Sequence, residues 1–334
     1  MRTPVVRQAE RMRAPIRMVM TAVATALVLG LVGCTGAPAP RVVVSPESMT
    51  ATAAPMPDRT TGTGPTERSA PPPDAAAGRA LAELERADGA RVGVAASDTG
   101  TARSVTHRAT ERFPVASVGK VFIAAALLDD VPAAGLDEMV PVESDDVLAY
   151  APVTGQHVGE GMTVRSLLDA MLRQSDNTAA NLLVERVGGP AAVQRWLRGI
   201  GDDVTRVDRI EPDLNTATPG DPRDTSTPQQ LATDLEAVLL GDALDVDDRT
   251  VLVDTMAANT TGDDTIRAGV PDGWTVADKT GTAAYGVRND IAVVTPPGRL
   301  PIVLVVMTSH ADAEARPDDA LVAEATRVAV RGLG

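Results

Sequence analysis

The 334-residue chain is long enough for one large domain or two small ones, and its formal net charge of −14 excludes the basic face that a nucleic-acid partner requires. Aromatic residues make up only 2%, so a core must be built from Val, Leu, Ile and Ala. The three histidines, His107, His157 and His310, stand far apart with no cysteine nearby, so neither a metal site nor a metal cofactor is expected.

In chain order, residues 1–33 read as a targeting segment. Arg2, Arg7, Arg11, Arg13 and Arg17 form a basic start, followed by an uncharged stretch from Met18 to Gly33. The stretch is short for a membrane span, although an uncleaved anchor is the alternative reading. Its end, Leu31-Val32-Gly33-Cys34, resembles the lipobox of bacterial lipoproteins. Cys34 is the only cysteine, which rules out an intrachain disulfide and suits a lipid attachment site. The chain is therefore expected outside the cytoplasm, held to the cell membrane by lipid at Cys34 after signal-peptide cleavage. Residues 34–74 are rich in Pro, Thr and Ala and lack apolar periodicity, the composition of a disordered tether. From Thr35 to Asp74 such a coil spans roughly 35 Å, or ~120 Å in polyproline form.

Residues 75–334 are the working domain. Ala75–Ala87 predicts a helix, Arg91–Ala96 a strand, and Asp98-Thr99-Gly100 a turn into a second strand ending near His107. An apolar run after Lys120, from Val121 to Leu128, predicts a buried helix opening at Ser117. Further helices are predicted at Thr163–Gln174, Asn177–Val187, Pro190–Arg198, Pro228–Leu240 and around Arg249–Ala257. Between them, Arg206 to Ser226 is irregular, with Pro212, Pro219, Gly220 and Pro222. Strands at Trp274–Lys279, Asp290–Thr295 and Ile302–Thr308, then a helix at about Asp318–Arg331, close the chain. The order predicts an α/β domain of the α+β type. An antiparallel sheet of about five strands from both chain ends packs against helices, an all-helical lobe is inserted, and the site lies at their junction.

Of 31 basic residues only two are lysine, Lys120 and Lys279. Arginine cannot release a proton near neutral pH, so lysine is kept where that ability is needed. Lys120 lies three residues after Ser117, where a helix would bring its amine to the hydroxyl; a lysine desolvated there can make a serine nucleophilic. Ser117 as a simple helix cap, with Lys120 reaching to solvent, is the alternative for this pair alone. Ser175-Asp176-Asn177 falls at a helix boundary, where such residues are common caps. Lys279-Thr280-Gly281 ends a predicted strand, and Gly281 would let a substrate approach the backbone.

Taken together, S-x-x-K, S-D-N and K-T-G over residues 75–334 resemble the class A serine β-lactamases. Glu111-Arg112-Phe113-Pro114, Tyr150-Ala151-Pro152-Val153, Ser175 to Asn181 and Glu211-Pro212-Asp213-Leu214-Asn215 extend the likeness. The resemblance implies that Ser117 attacks the lactam carbonyl of a small β-lactam substrate. Lys120, or Glu211 through a water, takes its proton, and the backbone N–H groups of Ser117 and Thr282 hold the oxyanion. It implies that Ser175 protonates the leaving nitrogen beside Lys279, and that Lys279, Thr280, Thr282 and Arg288 bind the substrate carboxylate. Asn177 would take the acylamino side chain and Tyr150 would wall the pocket. Glu211 and Asn215 would hold the hydrolytic water. Arg209 and Asp224, fifteen residues apart, would close the irregular stretch as an Ω-loop. A monomer without cofactor is implied. Gly119 and Ile210 depart from the family pattern, which favours a bulky apolar residue and an aromatic at those places. A D,D-peptidase or transpeptidase and a non-hydrolytic β-lactam-binding lipoprotein stay open as alternatives, with Glu211 the residue that separates them.

Overall fold

A computed structural model describes residues 73–334. The targeting segment, Cys34 and nearly all of the tether lie outside the described residues. Helix α1 (Pro73–Asp88) begins two residues inside the stretch assigned to the tether, because proline suits the first helical position. Strands β1 (Arg91–Asp98) and β2 (Ser104–His107) follow as a hairpin. The helical lobe and its flanks comprise α2 (Lys120–Asp130), α3 (Val164–Arg173), α4 (Asn177–Val187), α5 (Pro190–Gly199), α6 (Pro228–Leu239), α7 (Val246–Ala257) and the single turn α8 (Ile266–Gly269). The chain returns to the sheet with β3 (Thr275–Ala283), β4 (Val287–Thr295) and β5 (Ile302–Ser309), then ends in α9 (Asp319–Leu333).

The sheet has the order β2-β1-β5-β4-β3 and is antiparallel throughout, so its first and last segments pair at β1 and β5. Alternation along β5 serves two cores at once. Val303, Val305 and Met307 face the helical lobe, while Ile302, Leu304 and Val306 face α1 and α9. All eight β5 residues are buried, and its first six, Ile302 to Met307, form a continuous apolar run rather than an alternating one.

Among the other element boundaries that differ from the sequence prediction, three have a clear local reason. Ser117 lies in a 3-10 turn, Ala116–Gly119, and the α-helix begins only at Lys120. Asp245 caps α7 through the amides of Asp247 and Asp248, drawing its start back to Val246. The Lys279-Thr280-Gly281 segment does not end β3. Pairing with β4 continues to Ala283↔Val287, and the chain turns only where Tyr285 and Gly286 adopt positive φ.

Gly93 on β1 marks a place of close packing against the sheet. A Cβ there would lie 2.6 Å from Phe113 and 2.7 Å from Pro228, both ring atoms with little freedom to yield. Phe113 is fully buried, and its strand leads directly into the Ser117 turn. Gly93→Ala is expected to lower stability by about 1–3 kcal/mol, read as a lower urea midpoint at unchanged slope.

Candidate active site

The Ser117 turn is held from two sides. Asn289 on β4 donates through Nδ2 to the carbonyls of Pro114 and Val115, at 2.8 and 3.2 Å. Gly281 on β3 lies so close that a Cβ would sit 3.1 Å from the amide nitrogens of Ser117 and Val118. The bare backbone at Gly281 thus admits the serine turn, not only a substrate as the sequence suggested. It also sets the edge of β3, with Thr282, beside Ser117.

Lys120 is the first residue of α2 and is 2% exposed. Its amine and the Ser117 hydroxyl, expected to meet each other, meet instead at a third group. Glu211 Oε1 lies 3.1 Å from Lys120 Nζ and 3.5 Å from Ser117 Oγ. Lys120 Nζ also donates to the carbonyl of Ser175 at 2.8 Å and to Asn177 Oδ1 at 2.6 Å. Burial lowers the Lys120 pKa, and the neighbouring Glu211 charge opposes that shift.

Ser175 sits between the two lysines, with its Oγ 3.4 Å from Lys120 Nζ and 3.0 Å from Lys279 Nζ. Its φ of 57° places a non-glycine residue in the left-handed region, at a cost of about 1–2 kcal/mol. Asp176, fully buried, stabilises that corner: it accepts from Val153 N, Thr154 N, Thr154 Oγ1 and Ala179 N. One carboxylate therefore caps α4 and fixes the segment that carries Tyr150. Lys279 is also fully buried, and burial first, then the Lys120 charge, brings its pKa down to about 7.

Glu211 enters on the irregular stretch, where the Glu211–Pro212 bond is cis. Asn181 on α4 grips its backbone at both ends, donating to Glu211 O at 2.9 Å and accepting from Glu211 N at 3.0 Å. Asn215 donates to the Glu211 carboxylate. The neck of the loop is closed by Arg209 and Asp224: Arg209 Nε lies 2.5 Å from Asp224 Oδ2. Asp224 Oδ1 accepts from the amides of Asp208 and Arg209.

These elements enclose an open cleft of about 360 Å³ lined by Ser117, Tyr150, Ser175, Asn177, Asn215 and the Thr280–Thr282 edge of β3. Tyr150 is half exposed at its rim. Arg288 reaches the cleft while tied to Asp319, to Thr282 Oγ1 and to the carbonyl of Thr261. Two further residues at the site were given no role by the sequence reading. Thr261 lines the cleft, and its hydroxyl lies 2.6 Å from that of Thr280, yet it comes from an irregular segment with no motif. Asn181 could have been found, since it stands four residues after Asn177 on the same helix face.

A serine turn beside an exposed strand edge, with a buried lysine and carboxylate converging on its hydroxyl, is built for acyl transfer by a serine hydrolase. A family model described as the beta-lactamase enzyme family matches residues 76–333. The chain is 52% identical over 266 residues to a beta-lactamase of Amycolatopsis lactamdurans, covering 80% of this chain and 88% of that one. It is 48% identical over 251 residues to a beta-lactamase of Bacillus amyloliquefaciens, covering 75% and 82%. Among solved structures, a mutant of the last common ancestor of Gram-negative bacterial class A beta-lactamase aligns with TM-score 0.73 and 50% identity, over 75% of this chain and 96% of that one. The chain belongs to the β-lactamase family and is a class A serine β-lactamase.

Removing the Asp224 carboxylate would leave Arg209, itself largely buried, without its ion-pair partner and two amides without acceptors. Asp224→Ala is expected to cost about 3 kcal/mol in urea unfolding. The loop carrying Glu211 should become the segment first cut in limited proteolysis.

Proposed function

We propose that Ser117 is the nucleophile and Glu211 the base of this β-lactamase. The observation that carries the reading is the convergence of Ser117 Oγ and Lys120 Nζ on one buried oxygen of Glu211. In acylation, Ser117 Oγ bonds to the lactam carbonyl carbon as its proton passes to Lys120 or, through a water, to Glu211. Negative charge develops on the carbonyl oxygen beside the N–H groups of Ser117 and Thr282, which cost no reorganisation to use. The C–N bond then breaks, and Ser175, between the two lysine amines, supplies a proton to the leaving nitrogen. Lys279, Thr280, Thr282 and Arg288 bind the substrate carboxylate, with Lys279 acting as a local positive potential when protonated. Asn177 contributes its amide to the acylamino group, and Tyr150 bounds the cleft.

Deacylation makes the difference between a hydrolase and a protein that is merely acylated. Glu211, with Asn215 beside its carboxylate, orients a water and takes its proton as the oxygen attacks the acyl carbon. The ester bond to Ser117 Oγ then breaks, and a proton returns to that oxygen as the opened product leaves. Glu211→Gln keeps the shape of the site and removes the base. The variant is expected to accumulate an acyl-enzyme at Ser117, seen by mass spectrometry as one added opened substrate. Penicillin turnover should fall by at least about a hundredfold. Turnover equal to that of the parent would overturn Glu211 as the base.

The cellular setting belongs to the same proposal. The run ending at Cys34 and the tether after it suit an extracytoplasmic enzyme, monomeric and lipid-anchored to the membrane. Cys34→Ala is expected to leave activity intact and move the protein from the membrane fraction to the soluble or unprocessed pool. A processed protein that still fractionates with membranes would defeat the lipid assignment.

A further inference from the structure

Away from the cleft, the described residues contain a buried pair of aspartates, Asp202 and Asp234. Asp202 stands at the entry of the irregular loop, and Asp234 lies on α6, beyond the loop's exit. The two are 0% and 2% exposed. Their carboxylates are within hydrogen-bonding reach of each other, and Oδ2 of each is buried with no other partner. Two ionised carboxylates cannot satisfy one another, because neither has a proton to donate. One proton placed between the Oδ2 atoms satisfies both.

The remaining oxygens are occupied by the loop and its supports. Asp202 Oδ1 accepts from Val204 N at 2.7 Å and Thr205 N at 2.8 Å, folding the chain into the neck. There Thr205 Oγ1 lies 2.7 Å from Ser226 Oγ, and Arg206 N donates to Thr225 O. Asp234 Oδ1 accepts from Gln230 Nε2 at 2.8 Å. The charged groups facing Asp234 are Asp202 from the loop entry and Arg198 from α5. Arg198 stands 3.8 Å from Asp202 Oδ1 and donates to Thr205 O, so its charge is already shared with the neck.

We propose that Asp202 and Asp234 share one proton between their Oδ2 atoms and that the pair is a positioning device for the loop carrying Glu211. While the proton is held, α6 and the loop entry are joined by a short acid–carboxylate hydrogen bond. When it leaves, two buried negative charges repel at the base of the loop, and Asp202 is driven from the amides it caps. The effect on catalysis rests on Glu211 being the deacylation base; the shared proton itself does not.

Burial first, then the Asp202 charge, raises the Asp234 pKa to about 8. In the unfolded chain the same group ionises near the ordinary carboxylate value. Between those limits the folded state holds a proton that the unfolded state has lost. The pair's contribution to stability is therefore complete at low pH, falls as pH rises through this range, and is level beyond about pH 8.

The test compares the full chain with Asp234→Asn, whose amide donates to Asp202 Oδ2 at every pH. In infrared difference spectra at pH 7, the parent should show a protonated carboxylic-acid band that the variant lacks. The melting-temperature difference, variant minus parent, should grow by at least about 4 °C from pH 5 to pH 8 and then stay level. Deacylation of a penicillin should slow several-fold from pH 7 to pH 9 in the parent, beyond any loss in the variant. Should Asp234→Asn fail to fold, Asp202→Asn presents an amide donor from the other side and carries the same three measurements. An absent acid band or a melting difference independent of pH overturns the shared proton. Equal loss of deacylation in parent and variant overturns the positioning role. If Glu211→Gln retained turnover, the base assignment would fail while the infrared and melting results kept their meaning.

Discussion

The buried ion pair between Lys120 and Glu211 is the constraint on which the site depends. Each charge removed from water costs several kcal/mol, and the pair is tolerable only if attraction and hydrogen bonds offset both. The partners that meet this need come from two segments far from Lys120 in the chain. Lys120 is served by Ser175 and Asn177 at the start of α4, and the Glu211 carboxylate by Asn215 in its own loop, while Asn181 on α4 holds the Glu211 backbone. Helix, loop and helix junction must all be in place before either charge is satisfied. Ser117 is thereby presented only in a molecule whose Glu211 loop is already closed beside it.

On the sheet side the problem is reversed, because like charges are gathered. Lys279 lies near enough to Lys120 for their repulsion to depress its pKa, and Asp278 on the same strand and Asp290 on β4 are both buried. Asp278 is bound by Arg267 and Asn259, while Asp290 accepts from Thr265 and the amide of Ile266. Burial, with Asp278 next to it, raises Asp290 to about 8. Both lysine amines thus reach Ser175, while the two carboxyl groups are held by other partners. Ser175 stands at the boundary between the lysines, and its strained backbone fixes the hydroxyl there.

Much of this was legible in the sequence because the informative residues come in short, fixed spacings. The two lysines mark opposite sides of one cleft, and the apolar runs of α2 and β5 announce buried elements. What the sequence hid was geometry set by distant partners. The 3-10 turn at Ser117 depends on β3 pressing against it at Gly281, which no local propensity reveals. Thr261 joins the cleft through tertiary packing from an unpatterned segment, and Asn289 acts through two carbonyls more than 170 residues earlier. The strand limit misplaced at Lys279 has the same origin. Polar Thr280 and Thr282 interrupt an apolar pattern while their backbones continue the ladder with β4.

The scarcity of lysine has one more consequence. A strained lactam is an acylating agent toward any free amine it meets, and surface lysines are the usual places where such reagents are lost. Both lysine amines of this chain lie buried at the cleft, and the outer face of the domain carries its positive charge as guanidinium. Guanidinium stays protonated and is a poor nucleophile at neutral pH. An enzyme that meets electrophilic lactams is thus spared piecemeal acylation of its own lysine side chains, and the domain exposes no lysine amine to compete with the serine for the ring.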